Sequence, residues 1–161
     1  MPSDCTPPRS PSGPGYSLTE VLIAVALILL IAAVVAPRLT HSRLAADEAS
    51  AMQNLRKVYR AQALYTSRHP DKGFSSNLGE LFADSSTTED SDPDLAAGHK
   101  SGYIFIYVPG ERVNAAIRTY TITAVPEKVG ETGQRRFFSD ESGEVRYNAS
   151  GPADVTSPVI Q

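Results

Sequence analysis

The sequence places one carboxylate, Glu20, at the start of its most apolar stretch. Residues 21–36 are an uninterrupted run of apolar side chains, and no Lys or Arg lies within ten residues of Glu20 on either side. An ionised acid in such surroundings is costly unless a cation pairs with it. The nearest suitable cation is the α-amino group of Tyr16, which exists only if the chain is cut after Gly15. This spacing predicts a cleavage site and an ion pair.

The predicted ion pair forms between chains rather than within one. In a single helix the Tyr16 amine and the Glu20 carboxylate meet poorly, whereas two chains offset along their axes bring them together. In apolar surroundings an unpaired Glu20 is penalised, so this pairing would set the stagger between subunits. The alternative is that Glu20 lies close enough to the helix end for its carboxylate to reach lipid headgroups.

The apolar run predicts a helix that crosses a membrane. Residues 16–36 would span about 31 Å as a helix, which matches the hydrocarbon core of a bilayer. Pro37 then predicts a bend in the helix axis, and it disfavours a removable secretory signal because it obstructs cleavage at that point. Over residues 37–68 apolar side chains recur at helical spacing among charged ones, which predicts an amphipathic half of the same helix. A plain single-pass anchor is the simplest alternative.

Beyond the helix the sequence predicts a small antiparallel sheet. Asn77 and Glu80 match a capping box that begins a short helix at about 78–83. A polar, acidic loop is expected at 84–94. The predicted strands, rich in aromatic and β-branched residues, are 103–108, 119–125, 135–139 and 144–147. We therefore predict an α+β fold in which a long N-terminal helix, transmembrane and then amphipathic, packs on an antiparallel β-meander of about four strands.

These elements divide the chain into five segments. The predicted segments are a leader rich in Pro, Ser and Gly at 1–15, a transmembrane helix at 16–36, its amphipathic continuation at 37–68, a globular head with its connecting loop at 69–148, and a flexible tail at 149–161.

The composition excludes several kinds of site. The chain has 161 residues, a formal charge of −3 and a single cysteine, Cys5, which excludes an intramolecular disulfide and a multi-cysteine zinc site. Residues 67–161 carry 9 Lys and Arg against 14 Asp and Glu, so we do not expect nucleic acid as a partner. No Ser-His-Asp or Cys-His set can be assembled, and we predict a protein that is not an enzyme and holds no cofactor.

The acidic loop contains a motif that resembles the beginning of a calcium-binding loop. Asp90, Asp92 and Asp94 have the spacing that opens a calcium-binding loop, but such a loop needs Gly next and Glu at its twelfth position. Those positions hold Leu95 and Ser101. A solvated acidic loop is therefore the better interpretation.

The N-terminal motif resembles that of a known family. The segment Gly15-Tyr16-Ser-Leu-Thr-Glu20-Val-Leu-Ile, followed by an apolar helix, is similar to the class III signal of type IV prepilins and type II secretion pseudopilins. The resemblance implies that prepilin peptidase cuts between Gly15 and Tyr16 and methylates the new amine. It implies that Glu20 neutralises a neighbour's N-terminus and that Pro37 is the family's helix-bending proline. It also implies a ladle-shaped subunit, and some pseudopilins bind calcium in their C-terminal loops.

We predict from this resemblance a structural subunit of a type IV pilus-like filament. The implied partners are further copies of the chain, prepilin peptidase, an inner-membrane platform with its assembly ATPase, and membrane lipid. The implied location is the bacterial inner membrane as a single-pass protein, and then a periplasmic or cell-surface filament. Two alternatives stay open: a major-type pseudopilin of a type II secretion system, and a membrane-anchored binding domain that does not polymerise.

Overall fold

The structure, a computed structural model, describes residues 15–84 and 91–160, and for residues 34–40 the backbone alone. The chain divides into two compact units, Met1–Arg38 and Leu39–Gln161. The first contains the beginning of the long helix, and the second contains the rest of that helix, the two short helices and all of the β-structure. The described apolar side chains of the first unit are exposed, whereas many apolar side chains of the second unit form a buried core.

One helix, α1, extends over Leu18–Arg68, as the sequence predicted for residues 16–68. Its first turn is closed by the Ser17 carbonyl, which accepts hydrogen bonds from the backbone N–H groups of Glu20 at 3.0 Å and Val21 at 3.2 Å. The backbone stays helical through Pro37. The helix ends just before His69 and Pro70, because the residue before a proline is disfavoured in helical conformation.

The predicted membrane span is corrected by the structure. Among residues 15–84 and 91–160, no helix combines the length and the apolar character needed to cross a membrane. The transmembrane half of the predicted fold, at 16–36, and the single-pass placement in a bacterial inner membrane were therefore wrong.

In the second unit α1 supplies one side of a hydrophobic core. Its buried apolar residues recur every three, four or seven positions, which is the spacing of one helix face. These residues are Leu44, Ala51, Leu55, Val58 and Tyr65. All of them except Leu44 belong to one cluster with buried side chains of the sheet, chiefly Tyr103, Phe105, Ile122 and Phe137. Burial of each large side chain stabilises the fold by roughly 1.5–3 kcal/mol.

The sheet is antiparallel and has five strands in the order β1-β2-β5-β6-β7. The strands are β1 His99–Lys100, β2 Tyr103–Pro109, β5 Tyr120–Pro126, β6 Arg136–Asp140 and β7 Arg146–Asn148. In the central pair Phe105 lies opposite Ala124, and in the next pair Ala124 lies opposite Phe137. Because side chains alternate across a strand, this register directs alternate residues of β2 and β5 towards α1.

The prediction of about four strands is corrected on two points. A two-residue strand, β1, precedes β2, and a separate hairpin of β3 Arg112–Val113 and β4 Ala116–Ile117 lies between β2 and β5. Strands of two residues carry too little alternation to be recognised in a sequence.

The C-terminal residues 149–160 are also more ordered than the predicted loose tail. The backbone N–H of Tyr147 donates to the Pro158 carbonyl at 3.0 Å, and that of Ile160 donates to the Val145 carbonyl at 2.9 Å. Ala153 and Ser157 are buried. The segment therefore covers the edge of the sheet at β7, which leaves that edge closed to pairing with other chains.

Two short helices complete the second unit. Helix α2, Leu78–Ala83, has the predicted bounds, and the Asn77 side chain caps it by accepting from the Glu80 backbone N–H at 2.7 Å. The Glu80 carboxylate reaches back one residue further than in a standard capping box, to the backbone and hydroxyl of Ser76. Helix α3, Pro93–Ala96, is capped by Asp92.

Candidate functional site

The predicted site residues Gly15, Tyr16 and Glu20 all lie in the first unit, at the beginning of α1. A Cβ placed on Gly15 would meet no heavy atom of residues 15–84 and 91–160 within 4 Å. Tyr16 is 82% exposed. Both residues precede the first helical residue, Leu18, so the backbone around this bond is not held by helical hydrogen bonds.

Glu20 is exposed in the first turn of α1. Its backbone is fixed by the hydrogen bond to Ser17, whereas its carboxylate has no hydrogen bond or ion pair with any residue in the described parts of the chain. A negative charge is favoured at this position because the N-terminus of a helix carries a partial positive charge. The carboxylate is thus available to a cation on another molecule.

The helix that follows is apolar on every side and is not covered. All residues from 15 to 33 are exposed. Eleven of them are large apolar residues with exposed fractions between 48% and 82%: Tyr16, Leu18, Val21, Leu22, Ile23, Val25, Leu27, Ile28, Leu29, Leu30 and Ile31. A contiguous exposed surface of this kind marks an interaction site, because soluble monomers rarely leave such a patch open.

Pro37 has the helical backbone of α1, and its side chain is not among those that the structure describes. The bend that we predicted there stays a prediction. The structure therefore brings the three residues of the cleavage and charge motif together at one end of α1, and Pro37 follows Glu20 by about five helical turns.

The second unit contains two buried carboxylates, Glu48 and Asp92, of which the sequence analysis did not single out Glu48. Glu48 accepts hydrogen bonds from the backbone N–H of Gln134 at 2.9 Å and from the Arg135 side chain at 2.7 Å. Burial opposes ionisation of Glu48, but these hydrogen bonds and the Arg135 charge outweigh it and hold its pKa below the usual value. This ion pair fastens α1 to the segment that leads into β6.

Asp92 is the second buried acid and lies within the motif that resembled a calcium loop. Its carboxylate pairs with the ammonium groups of Lys57, at 3.0 Å, and Lys100, and accepts from the Leu95 backbone. Burial opposes its ionisation, but these partners outweigh burial and lower its pKa. Asp92 therefore joins α1, α3 and β1, a structural role that needs no metal.

Metal binding has no further support in the described residues. No group of three or more His, Cys, Asp or Glu side chains within residues 15–84 and 91–160 could hold a metal ion. Asp90, the first acid of the motif, lies outside the described residues. The sequence signal that would have identified the pairing of these acids is weak, because Arg135 lies 87 positions from Glu48 and Lys57 lies 35 positions from Asp92.

Comparisons with known proteins add no relative. No protein-family model matches the chain, and no curated protein and no solved structure is significantly similar to it. A function must therefore be argued from this chain's own residues.

Proposed function

We propose that this protein is a structural subunit of a type IV pilus-like filament, in which the N-terminal segments of α1 from many copies pack together. In this proposal a prepilin peptidase removes residues 1–15 and methylates the amine of Tyr16. The Glu20 carboxylate of one copy then neutralises the N-terminal amine of its neighbour. The resemblance of the segment Gly15-to-Glu20 to prepilin signals supports the proposal.

The observation that carries the proposal is the exposed apolar surface of α1 from residue 16 to residue 31. An all-round apolar helix is stable in water only when it is covered. Packing such helices side by side covers all their faces, and every large side chain that becomes buried contributes roughly 1.5–3 kcal/mol. Glu20 is the only charged side chain among residues 15–33, so it is the side chain that most strongly opposes that burial.

The position of Glu20 then selects how the helices are staggered. Inside a bundle its carboxylate loses water, and an uncompensated buried charge is strongly unfavourable. The amine of Tyr16 on a second copy is a cation of the right sign at nearly the same level of the helix. A pair between unlike groups on two copies is heterologous, and a heterologous contact that does not close on itself generates a helical filament.

One substitution at Glu20 and a control substitution at Thr19 test the proposal. The parent chain, Glu20→Gln and the control Thr19→Ala are each produced together with a prepilin peptidase and an assembly ATPase, and polymers are counted by electron microscopy after shearing. Because breaking a buried ion pair costs about 3–5 kcal/mol, Glu20→Gln is expected to lower the polymer yield at least about a hundredfold. Thr19→Ala, a change at the neighbouring exposed residue, is expected to keep it.

The same samples distinguish assembly from processing. The proposal expects both variants to lose residues 1–15 as efficiently as the parent, because Glu20 acts after cleavage. Normal polymers from Glu20→Gln would remove Glu20 from the mechanism, and a parent chain that is cleaved but never polymerises would overturn the filament assignment.

A further inference from the structure

The second unit presents two opposite flanks of α1 that carry complementary charge. Successive residues of a helix point about 100° apart, so Tyr59 and Arg60 lie on different flanks. On one flank a cleft of about 140 Å³ separates α1 from α2. On the other flank the turn between β6 and β7 lies beside Tyr59.

The cleft combines an apolar floor with an unpaired cation. Leu81 and Phe82 of α2 are buried beneath it, and Leu64 of α1 is 43% exposed at its side. Arg60 is exposed at the rim and forms no ion pair within residues 15–84 and 91–160. The neighbouring Lys57 is already held by Asp92 at 3.0 Å. The cleft therefore suits one acidic side chain with an aliphatic stem, whose carboxylate would meet the guanidinium of Arg60.

The turn on the opposite flank offers such a side chain. Of its three acids, Asp140 accepts from the backbone and hydroxyl of Ser142, at 2.9 Å and 2.5 Å, and Glu144 pairs with Arg146. Glu141, at the tip, is exposed and has no partner within the described residues.

The turn is also held in place. Gly143 has a positive φ of 76° and lies against the Tyr59 ring, which a Cβ at that position would approach within 2.8 Å. The backbone of the turn that carries Glu141 is therefore already ordered before binding, so little conformational entropy is lost when Glu141 binds.

We propose that the Glu141 turn of one copy docks into the Arg60 cleft of the next copy. The inference rests on the proposed filament and adds a second, head-to-head contact to the packing of the N-terminal helices. Every copy carries both surfaces, one on each flank, so the contact is heterologous and can repeat without closing. Arg56 lies four residues before Arg60 on the same exposed face of α1 and adds positive charge that attracts the turn.

Disulfide trapping in polymers tests this contact directly. Arg60→Cys and Glu141→Cys are introduced singly and together into a chain with Cys5→Ser, which then has no other thiol. After mild oxidation of sheared polymers, only the double variant is expected to give a ladder of multimers on a non-reducing gel. Dimers from a single variant would show an isologous contact and overturn the proposal, as would polymers of the double variant that give no ladder.

Charge reversal provides the matched test. Since each single reversal replaces the ion pair with two like charges that repel, Arg60→Glu or Glu141→Arg alone is expected to lower the polymer yield about tenfold, and the two together are expected to restore it. The controls Arg118→Glu and Glu111→Arg reverse exposed charges that have no described ion pair elsewhere on the head, and they are expected to keep the yield.

The two proposals fail in different ways. Polymers that survive both single reversals, while Glu20→Gln abolishes them, would overturn the Arg60–Glu141 contact and leave the filament proposal intact. A parent chain that forms no polymer overturns both.

Discussion

The carboxylate of Glu48 binds both the side chain and the backbone of Arg135, a residue 87 positions further along the chain. The Arg135 Nε donates to it at 2.7 Å and the Arg135 backbone N–H at 3.2 Å. Because Glu48 lies on α1 and Arg135 directly precedes β6, this pair fixes the position of the helix over the sheet in the second unit.

We expect Glu48→Gln to destabilise the fold by about 1–3 kcal/mol, because the amide keeps the shape of the acid but cannot accept all of its hydrogen bonds or balance the Arg135 charge. Urea unfolding followed by circular dichroism measures the change. The control Asp47→Asn alters the adjacent acid, which forms no ion pair within the described residues, and should stay within about 0.5 kcal/mol of the parent. Equal stability of Glu48→Gln and the parent would contradict the structural role of this pair.

The pH dependence of stability should be dominated by strongly hydrogen-bonded acids such as Glu80. Its carboxylate accepts from the Ser76 hydroxyl at 2.5 Å and the Tyr65 hydroxyl at 2.6 Å, and these bonds lower its pKa from 4.5 to about 2. A folded pKa below the unfolded value means that the stabilisation is present above about pH 4.5 and is lost as the pH falls towards 2.

Glu80→Gln should therefore flatten the acid side of the stability profile. The shift corresponds to at most about 3 kcal/mol, and since the carboxylate is partly exposed we expect roughly 1–2 kcal/mol of it to appear. Thermal melting between pH 7 and pH 2 should show a smaller loss of Tm for the variant than for the parent. Parallel profiles would show that the Glu80 contacts contribute nothing to folding.

Two stacked tyrosines in the core are expected to respond differently to the loss of their hydroxyl groups. The rings of Tyr107 and Tyr120 are 5.5 Å apart. The Tyr107 hydroxyl accepts from Gln62 and donates to the Ser75 carbonyl, both at 2.8 Å, whereas the buried Tyr120 hydroxyl has no hydrogen-bond partner in the described parts of the chain. Removal of an unpaired buried hydroxyl relieves a desolvation penalty, and removal of a paired one creates it.

We therefore expect Tyr120→Phe to be neutral or to stabilise the protein by up to about 1 kcal/mol, and Tyr107→Phe to destabilise it by about 1–2 kcal/mol. Urea unfolding of the two variants side by side controls for the loss of one oxygen from a core tyrosine. A larger loss of stability from Tyr120→Phe than from Tyr107→Phe would contradict the view that the Tyr107 hydroxyl stabilises the fold and the Tyr120 hydroxyl does not.

Elements with strong local signals could be predicted from the sequence. The Asn77 cap and the aromatic and β-branched residues of 103–108 placed α2 and β2 almost where the structure has them. The hairpin of β3 and β4 was missed because of its turn residues, Asn114 and Ala115, which have positive φ values of 51° and 68°. Alanine rarely adopts a positive φ, so its presence does not predict a turn of this kind.

The buried ion pair of Glu48 could not be predicted, because its partner Arg135 lies 87 positions further along the chain. Asp92 pairs with Lys57 on α1 as well as with the nearer Lys100, and only the tertiary fold brings these three side chains together. At the N-terminus the reverse holds, since Gly15, Tyr16 and Glu20 form one local motif. There the sequence defined the candidate motif, but its prediction that the apolar helix spans a membrane was wrong.

The central claim is that proteolysis after Gly15 creates the amine that Glu20 of another copy neutralises. Intact-mass and peptide mass spectrometry of the protein, isolated from cells that produce it with a prepilin peptidase, tests this most directly. We predict a mature chain that begins with Tyr16 and carries a methyl group on its α-amine. A chain that still contains residues 1–15 would contradict the account.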